Sequence, residues 1–379
     1  MPVAWIVLLA ATAVALYIMA GYPLLLSVMQ GRKAPPIAKD LRYQTTVSVI
    51  MTVYNGAAFI RAKLESLLNL DYPKQFLEII VVSDGSSDET ESIVREFGGR
   101  GVVLIVAPHA GKAAAVNRGL ERAMGEILFF TDVRQPLDRM ALRHLVANFA
   151  DPTVGAVSGE LRLERGGTGE QADMDLYWRY EVWARKRHSR IDSVFNTTGC
   201  IYAMRRNLAE PIPPDTLSDD AVLPQRAFFR GYRIILDPEA IAVDYPALHG
   251  TEFRRRWRTL AGLWQVFARR PQLFTSADRM RFHFLSHKFS RLMLPWSLIT
   301  ILVATAALPG SPERSWMMGG DGALLLLAIL DPLVPPRTSL KRLSSPARTF
   351  LGMNLASLAA IVVFFIPAHR LWVPTRVRK

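Results

Sequence analysis

Three polar residues stand at the ends of three apolar, mostly β-branched or aromatic runs of the sequence. VSVIMTVYN ends in Asn55, LEIIVVSD ends in Asp84 and LFFTD ends in Asp132. In a parallel sheet covered by helices, ligands bind in the crevice outside the carboxyl ends of the strands. The pattern therefore predicts that these three side chains share a site, although an aspartate in such a position can also serve as a plain helix cap.

The stretch SDGSSDET surrounds Asp84 with groups that could hold a nucleoside and an anion. A carboxylate beside a Gly-Ser-Ser turn offers an acceptor for a base or ribose, and the backbone N–H groups of the turn offer donors for an anion. Downstream, HAGKAAAVNRG brings Lys112 and Asn117 toward the same strand ends. We expect Lys112, in a Gly-flanked turn, to contact a diphosphate.

The elements that must position these residues alternate between strand and helix. FIRAKLESLLNL has helical spacing between the first two strands, and a helix over Glu89 to Phe97 precedes a third strand at VVLIVA. This rhythm predicts an α/β fold, with a mixed, mostly parallel sheet and helices on both faces.

The chain as a whole is too apolar for an ordinary soluble enzyme. Its 379 residues are 50% hydrophobic and carry a formal net charge of +13, a balance that fits an anionic membrane surface or a phosphate-bearing substrate as well as nucleic acid. Residues 3–29 hold no charge and exceed the roughly 20 residues that cross a bilayer. Arg32 and Lys33 follow at once, which predicts that the next domain is cytoplasmic.

The C-terminal part predicts two or three further spans. LMLPWSLITILVATAALP and FLGMNLASLAAIVVFFIP approach spanning length, while LLLLAILDPLV between them is short and interrupted by Asp331. Before them, EFRRRWRTLAGLWQVFARR alternates arginines with aromatic and aliphatic residues, as an amphipathic helix in the membrane interface does.

Seven stretches, in their order and spacing, resemble the membrane-bound family-2 glycosyltransferases with a GT-A fold, of the cellulose-synthase and hyaluronan-synthase types. They are TVYNGAAFI, SDGSSDET, GKAAAVNRG, LFFTDV, TTGCIYAMRR, LSDDAVLP and GYRIILDPEAIAVDYP. The resemblance implies a transmembrane helix in residues 1–30, a GT-A catalytic domain in 45–250, interfacial amphipathic helices in 251–288 and two or three transmembrane helices in 289–370.

The resemblance also implies how a nucleotide-sugar donor is held. Val53, Tyr54 and Asp84 would bind the nucleotide, usually a uridine diphosphate sugar, and Asp132 would belong to the metal motif in which two carboxylates, one residue apart, grip Mg²⁺ or Mn²⁺. Here Arg134 stands where the second carboxylate is expected. Either Arg134 points aside, for example to pair with Asp138, or it supplies charge to the diphosphate directly.

The same family places the catalytic base in an acidic pair before an apolar run, matched here by Asp219 and Asp220. A carboxylate within reach of the acceptor hydroxyl can take its proton, and by position in the motif we assign this role to Asp220, with Asp219 beside it. The family's Gln-x-x-Arg-Trp motif is matched without its glutamine, either by Arg256 and Trp257 or, in a register set by Gly262, by Arg258. The missing glutamine puts processive synthesis in doubt more than sugar transfer.

The expected protein is an integral membrane enzyme, with its catalytic domain in the cytoplasm, that moves a sugar from a nucleotide-sugar donor to a growing glycan or a lipid-linked acceptor. Two alternatives are the transfer of a single sugar to a lipid and an inactive scaffold that binds nucleotide sugar. No nucleic-acid partner is expected. An ATPase is disfavoured because Val106 and Ala113 replace required P-loop residues, and HFLSH lacks the glutamate of a zinc protease.

Overall fold

A computed structural model describes residues 3–29, 34–163, 169–244, 252–275, 279–335 and 338–371. Arg32 and Lys33, on which the predicted orientation rests, lie outside these residues, as does the basic tail beyond Leu371. The predicted boundary between catalytic domain and interfacial helices, at 250 and 251, also falls outside them.

Seven strands form one sheet in the order β3-β2-β1-β4-β6-β5-β7. Their bounds are β1 Val47–Val53, β2 Leu77–Asp84, β3 Val102–Ala107, β4 Ile127–Asp132, β5 Val154–Leu163, β6 Tyr202–Arg205 and β7 Arg233–Asp244. The first four strands run parallel, β6 runs antiparallel to both of its neighbours, and β5 pairs with β7 in parallel. The predicted mixed, mostly parallel α/β sheet is confirmed.

Helices cover the sheet and continue beyond it. In chain order they are α1 Val3–Leu16, α2 Tyr22–Val28, α3 Ala57–Leu68, α4 Thr90–Glu96, α5 Lys112–Arg122, α6 Ala141–Ala147, α7 Gly169–Ile191, α8 Asp219–Phe229, α9 Glu252–Arg269, α10 Gln272–Thr275, α11 Arg281–Phe284, α12 Ser290–Ala306, α13 Pro312–Leu330 and α14 Ser339–Ala359.

The central strand β1 explains why the strand-end residues meet. β1 lies between β2 and β4, and its backbone is paired so that Val53 lies opposite Ser83 and Thr52 opposite Asp132. The connection that leaves β1 runs to β2, whereas the connection that leaves β4 runs to the other side of the sheet, to β5. The carboxyl ends of β1 and β4 therefore form the topological switch point at which a crevice opens. The strands themselves are buried on both faces by apolar residues, which is why each run reads as continuous rather than alternating.

Four helical segments of the described chain are long and apolar enough to cross a membrane. They are Val3–Val28, Arg281–Ala306, Pro312–Leu333 and Ser339–Phe364, so apolar helices of spanning length are present at both ends, as expected. The segment with LLLLAILDPLV, which the sequence left uncertain, becomes long enough because the helix already begins at Pro312.

The amphipathic helix α9 connects the sheet to these segments. Its apolar face contributes Leu260, Ala261, Val266 and Phe267 to the same buried cluster as the sheet residues and Ala356 of α14. At Gly262 a Cβ atom would lie only 3.2 to 3.3 Å from the Cβ atoms of Ser218 and Leu217, just before α8. The absence of a side chain therefore lets α9 pack directly against the segment that begins the acidic motif.

The first membrane segment is held to the rest of the chain by tyrosine hydroxyls. The buried Tyr22 hydroxyl lies 2.7 Å from His188 Nε2 on α7 and 3.1 Å from His283 Nδ1 on α11, and Tyr17 donates to Ser286 over 2.7 Å. These contacts fix the first segment against both the catalytic domain and the second segment.

Candidate active site

A cavity of about 810 Å³ opens at the carboxyl ends of the strands and extends to the apolar segments. Its lining includes residues at or after the ends of β1, β2 and β4, the start of α8 and part of α9. Residues of α7 and of the first, second and fourth apolar segments line it as well. A single cavity thus joins the predicted donor site to the membrane part.

Two stacked aromatic rings, of Tyr54 and His109, line the cavity. The Tyr54 ring stacks on His109 with centroids 4.3 Å apart and an interplanar angle of 26°. His109 Nδ1 lies 3.0 Å from the Asp84 carboxylate, and Asp84 also accepts hydrogen bonds from the backbone N–H of Ala110 at 2.8 Å and of Gly111 at 3.0 Å. Asp84 therefore shapes the loop that carries Lys112, in addition to lining the cavity.

Asn55 and Gly85 hold the first two strand ends together. Asn55 Oδ1 accepts the backbone N–H of Ser87 at 2.8 Å, and the Asn55 N–H donates to Ser86 Oγ at 3.1 Å. Gly85 has a φ of +70°, and a Cβ there would lie 2.7 Å from the His109 backbone nitrogen. Glycine is required at this turn by both conformation and space. Val53, the last residue of β1, is buried, whereas the side chain of Tyr54, the residue after it, is exposed.

Two carboxylates form ion pairs with Lys112. Its Nζ lies 3.0 Å from Asp132 Oδ1 and 3.3 Å from Asp219 Oδ1. Burial opposes the positive charge, but Asp132, Asp219 and Asp220 together raise the pKa of Lys112 above its ordinary value. Three acids and one lysine from β4, α8 and α5 therefore meet at one point of the cavity.

Asp220 is the acid whose proton affinity is most altered. Burial, followed by repulsion from Asp219, raises its pKa to about 6, with Lys112 acting in the opposite direction. Both acids lie in the first turn of α8, and the Asp220 carbonyl accepts hydrogen bonds from the Thr197 N–H at 2.9 Å and Oγ1 at 2.8 Å. A carboxylate that titrates near neutrality can exchange a proton with a hydroxyl at the working pH of most cells.

Arg134 is paired with Asp244 at the end of β7. Its Nε and Nη2 atoms donate to the two carboxylate oxygens at 3.1 and 2.7 Å, and Gln135 Nε2 donates to the same carboxylate at 3.1 Å. Asp138, the partner suggested from the sequence, instead accepts the N–H of Met140 at 2.8 Å in the next turn. The idea that Arg134 pairs with an acid thus matches the structure, whereas the choice of Asp138 is wrong.

Helix α9 presents Arg258 to the acids and Trp257 to α14. Burial lowers the pKa of Arg258, and this effect is opposed by Asp132, Asp220 and Asp219. The Trp257 indole donates at 2.9 Å to the carbonyl of Ala359, the last residue of α14. Arg256 lines the cavity as well, but it is the register with Arg258 that places an arginine among the carboxylates.

Asn117 is a predicted donor-binding residue that the structure does not bring to the cavity. Its side-chain amide donates to the Ile212 carbonyl at 2.8 Å and accepts the Ile212 N–H at 2.9 Å. Asn117 lies more than one turn further along α5 than Lys112, on the face that contacts Ile212. Its side chain holds the backbone of Ile212 in place and does not line the cavity as predicted.

Two contributors were not singled out from the sequence. Asp244 ends an apolar strand just as Asp84 and Asp132 do, so the strand-end pattern could have found it. His109 directly precedes the AGK turn, but nothing in the sequence shows that it stacks on Tyr54, because the two residues are 55 positions apart and meet only through the order of the strands.

The acids around Lys112 fit a divalent metal ion. Hard cations such as Mg²⁺ and Mn²⁺ take carboxylate oxygens together with phosphate and water, and Asp132 and Asp219 line the cavity, where phosphate and water could reach the same ion. By contrast, the described cluster of His144, Asp237 and Glu239 has Lys39 Nζ at its centre, 2.8 Å from Asp237 and 2.5 Å from Glu239. That second cluster is an ion-pair network, with an ammonium in the position an ion would need.

Known proteins are similar to this chain in sequence and in fold. Residues 48–212 match the family model described as glycosyl transferase family 2. A probable glycosyltransferase, YdaM of Bacillus subtilis, is 29% identical over 266 residues, and the poly-β-1,6-N-acetyl-D-glucosamine synthase of Staphylococcus aureus is 24% identical over 265. These alignments cover 67% and 68% of this chain and span 63% of each relative's length.

A solved structure is similar over almost the whole chain. The mannosyltransferase PcManGT of Pyrobaculum calidifontis, in complex with GDP-Man and Mn²⁺, superposes with a TM-score of 0.76 and 27% sequence identity. The match covers 94% of this chain and 97% of that one, so it includes the apolar segments as well as the sheet.

Sheet order, strand-end acids and the fold match define the class: this is a glycosyltransferase domain with the GT-A fold. Residues 48–212 of this domain match glycosyl transferase family 2. The family predicted from the seven stretches is thereby confirmed.

Proposed function

We propose that the chain is an inverting glycosyltransferase that moves a sugar from a nucleotide-sugar donor to an acceptor bound at the membrane end of the cavity. The observation that carries this proposal is the meeting of Asp132, Asp219 and Asp220 around Lys112, in a cavity that continues to the apolar segments. A donor and a membrane-bound acceptor can reach the same carboxylates from opposite ends.

In this proposal, Asp220 accepts the proton of the acceptor hydroxyl. The hydroxyl oxygen forms a bond to the anomeric carbon, and the bond from that carbon to the diphosphate breaks, with its electron pair leaving on the nucleoside diphosphate. Lys112 and Arg258 carry positive charge at the point where negative charge develops, which favours departure. Attack from the side opposite the leaving group inverts the anomeric configuration.

The donor nucleotide is proposed to stack on Tyr54 and His109. Two aromatic rings beside a buried carboxylate suit a planar base of either ring size. The family resemblance favours a uridine nucleotide, whereas PcManGT was solved with GDP-Man. Both nucleotides therefore belong in the test.

Asp132 is the residue proposed to hold Mg²⁺ or Mn²⁺, with donor phosphates and water as further ligands. When bound, such an ion neutralises charge on the diphosphate. Asp219, which also forms an ion pair with Lys112, is a further oxygen donor of that cluster.

The proposed location is the cytoplasmic face of the membrane, as an integral protein. Nucleotide sugars are made in the cytosol, and the basic residues after the first segment favour this orientation. The four apolar segments supply the anchoring. A growing glycan and a lipid-linked sugar are both acceptors that could be reached from this face.

A donor panel tests the proposal. The purified full chain in lipid nanodiscs is given UDP and GDP sugars with Mn²⁺ and a membrane extract as acceptor source, and release of nucleoside diphosphate is measured. We expect one donor to be consumed in a manner that requires Asp220. Binding of a nucleotide sugar without any release, in wild type and Asp220→Asn alike, would instead favour a scaffold.

A further inference from the structure

Arg185 of α7 is a buried cation close to the proposed base. Its side chain is only 6% exposed. Glu181, Asp220 and Glu160 attract the guanidinium electrostatically, but within the described chain no carboxylate forms a direct ion pair with it. Burial of a charge without a directly contacting partner is costly, so we expect Arg185 to do more than fill space.

The guanidinium of Arg185 binds three neutral oxygen atoms. Nη1 donates to Thr198 Oγ1 at 2.8 Å, and Nη2 donates to Ser158 Oγ at 2.7 Å and to the Asn196 carbonyl at 3.3 Å. The planar fork of an arginine directs its N–H groups at fixed angles, which a lysine ammonium does not. Arg185 therefore joins α7 both to β5 and to residues 196–199, which we call the threonine loop.

The threonine loop lies directly beside Asp220. The Asp220 carbonyl accepts hydrogen bonds from the N–H of Thr197 at 2.9 Å and from its Oγ1 at 2.8 Å. A Cβ atom at Gly199 would be in van der Waals contact with the Asp220 carboxylate, 3.6 Å from Oδ2. The loop thus contacts the backbone of the proposed base and passes close to its carboxylate.

Thr198 connects the threonine loop to β5. Its N–H donates to Ser158 Oγ at 2.9 Å, and its hydroxyl donates to the Gly159 carbonyl at 3.0 Å. The two hydroxyl oxygens of Ser158 and Thr198 lie 3.2 Å apart. Because the guanidinium donates to both of them, it fixes the loop against the strand.

The part of α7 that carries Arg185 is itself held on both sides. Four residues before Arg185, Glu181 forms an ion pair with Lys288 of the second apolar segment. Three residues after it, His188 Nε2 lies 2.7 Å from the Tyr22 hydroxyl of the first segment. Side chains position a site well when their own support is rigid, and α7 offers such support.

We propose that Arg185 is a positioning residue of the transfer reaction, whose guanidinium holds the threonine loop so that the loop keeps Asp220 where it can take the proton of the acceptor hydroxyl. The inference rests on the proposed function and adds a residue to the same site. Arg185 acts through Thr197 and Thr198 rather than on the substrate. A displacement of a reacting group by about 1 Å can lower a rate by about 10²-fold, so such support matters for turnover.

Substitution of Arg185 tests the proposal on the full chain in nanodiscs, with the donor that the wild type consumes. Arg185→Met removes the charge and all donors of the side chain, and it should lower kcat by about 10²-fold. KM for the donor and binding of the nucleoside diphosphate should not change. Arg190→Gln is the matched control, because Arg190 is an exposed arginine of the same helix, and it should behave as the wild type.

Arg185→Lys separates geometry from charge. The lysine keeps a positive charge near Asp220 but lacks the fork that binds Thr198 and Ser158 together. We therefore expect kcat to remain at least about tenfold below that of the wild type. A lysine variant as active as the wild type would show that charge alone is needed, and the positioning role would be wrong.

Thr198→Val tests the path from Arg185 to the base. Valine has nearly the shape of threonine but lacks the hydroxyl, so this variant should also lose kcat at unchanged KM. If Arg185 acts through Thr198, the double variant Arg185→Met with Thr198→Val should lose little more than either single variant. Losses that simply multiply would show that the two residues act separately and would overturn the inference.

Thermal unfolding and nucleoside-diphosphate binding identify the variants that fold. If Arg185→Met does not fold, a folded Thr198→Val with the kcat of the wild type would still overturn the inference. Wild-type turnover together with equal turnover of Arg185→Met would remove the role of Arg185 and leave the proposed function intact. Absence of turnover in the wild type with every donor would instead remove the proposed function, and this role with it.

Discussion

At the scale of single residues, Asp220 gains its proposed role from its surroundings. A raised pKa, to about 6, means that the carboxylate is mostly ionised at pH 7 yet is a stronger base than an ordinary aspartate. We predict that kcat/KM of the wild type falls below about pH 6, approaching tenfold per pH unit as the carboxylate becomes protonated.

Replacement of the base tests the same residue independently of pH. Asp220→Asn should reduce turnover by about 10²- to 10⁴-fold, because an amide cannot accept the proton, with nucleotide binding retained. Asp215→Asn is the matched control, since Asp215 is half-exposed and pairs with Arg269. Comparable losses in both variants would argue against a specific role for Asp220.

The pairing of Arg134 with Asp244 also belongs to this scale. Side-chain exposures of 17% and 5% make this a largely buried pair, and removal of one partner from such a pair costs about 3 to 5 kcal/mol. We predict that Arg134→Asp and Asp244→Arg each lower thermal stability and activity, and that the double exchange restores much of both.

Metal removal addresses the other role considered for Arg134. With Asp132 as the metal ligand, excess chelator should stop turnover of the wild type, and Mn²⁺ should restore it; Asp132→Ala should be inactive in either condition. If the wild type kept full turnover in chelator and the double exchange were inactive, Arg134 would be the group that neutralises the negative charge of the diphosphate.

At the scale of elements, the contact between α9 and the start of α8 sets the position of Arg258 relative to the acids. A methyl group at Gly262 would press on Ser218 and Leu217, and overpacking of this kind costs about 1 to 3 kcal/mol. We predict that Gly262→Ala lowers both the unfolding temperature and kcat, because α9 must shift away from the carboxylates.

Gly352→Ala is the control for helix propensity. Gly352 lies within α14, and a Cβ there meets no atom within 4 Å, so alanine should be neutral or stabilise by up to about 1 kcal/mol. If Gly262→Ala behaved in the same way, α9 would not be limited by its contact with Ser218.

Much of the proposed nucleotide site could be predicted from the sequence because a polar residue marks the end of each apolar strand. Asn55, Asp84 and Asp132 follow continuous apolar runs, and parallel pairing brings such ends together. The partners of Arg134 and Asn117 could not be predicted in this way. Their contacts, to Asp244 and Ile212, depend on which strand or loop comes back beside them, and no local pattern records that.

The ion pairs of Glu181 with Lys288 and Arg291 could not be predicted from the sequence for the same reason. Glu181 lies on α7, 107 and 110 positions before these two partners in the second apolar segment. The run LYWRYEVWARKRHSR predicts an aromatic and basic helix. That its side chains line a cavity together with residues of HFLSHKFSRL follows only from the three-dimensional structure.

At the scale of the whole molecule, the number of C-terminal helices that cross the membrane determines which loops face the catalytic domain. If Arg281–Ala306, Pro312–Leu333 and Ser339–Phe364 all cross, the loop before Lys341 and Arg342 returns to the side of the sheet, as the positive-inside tendency favours. The turn at Gly310 then lies on the other side.

Thiol labelling can check this arrangement with little background, because the single cysteine, Cys200, is only 4% exposed. We predict that Arg42→Cys, in the catalytic domain, and Arg342→Cys react with a membrane-impermeant maleimide from the same side, and Gly310→Cys from the opposite side. Labelling of positions 310 and 342 from one side would show that the segment between them does not cross.

The shared apolar core described above also bears on how the protein is made. Ala356 and Ala360, close to the last described residues, pack in the same cluster as Ile50 and Leu128 of the central strands. On a ribosome, the sheet would emerge long before these two alanines. The active site would therefore be complete only after insertion of the final segment. A nascent chain would then not consume nucleotide sugar before all of its segments were inserted into the bilayer.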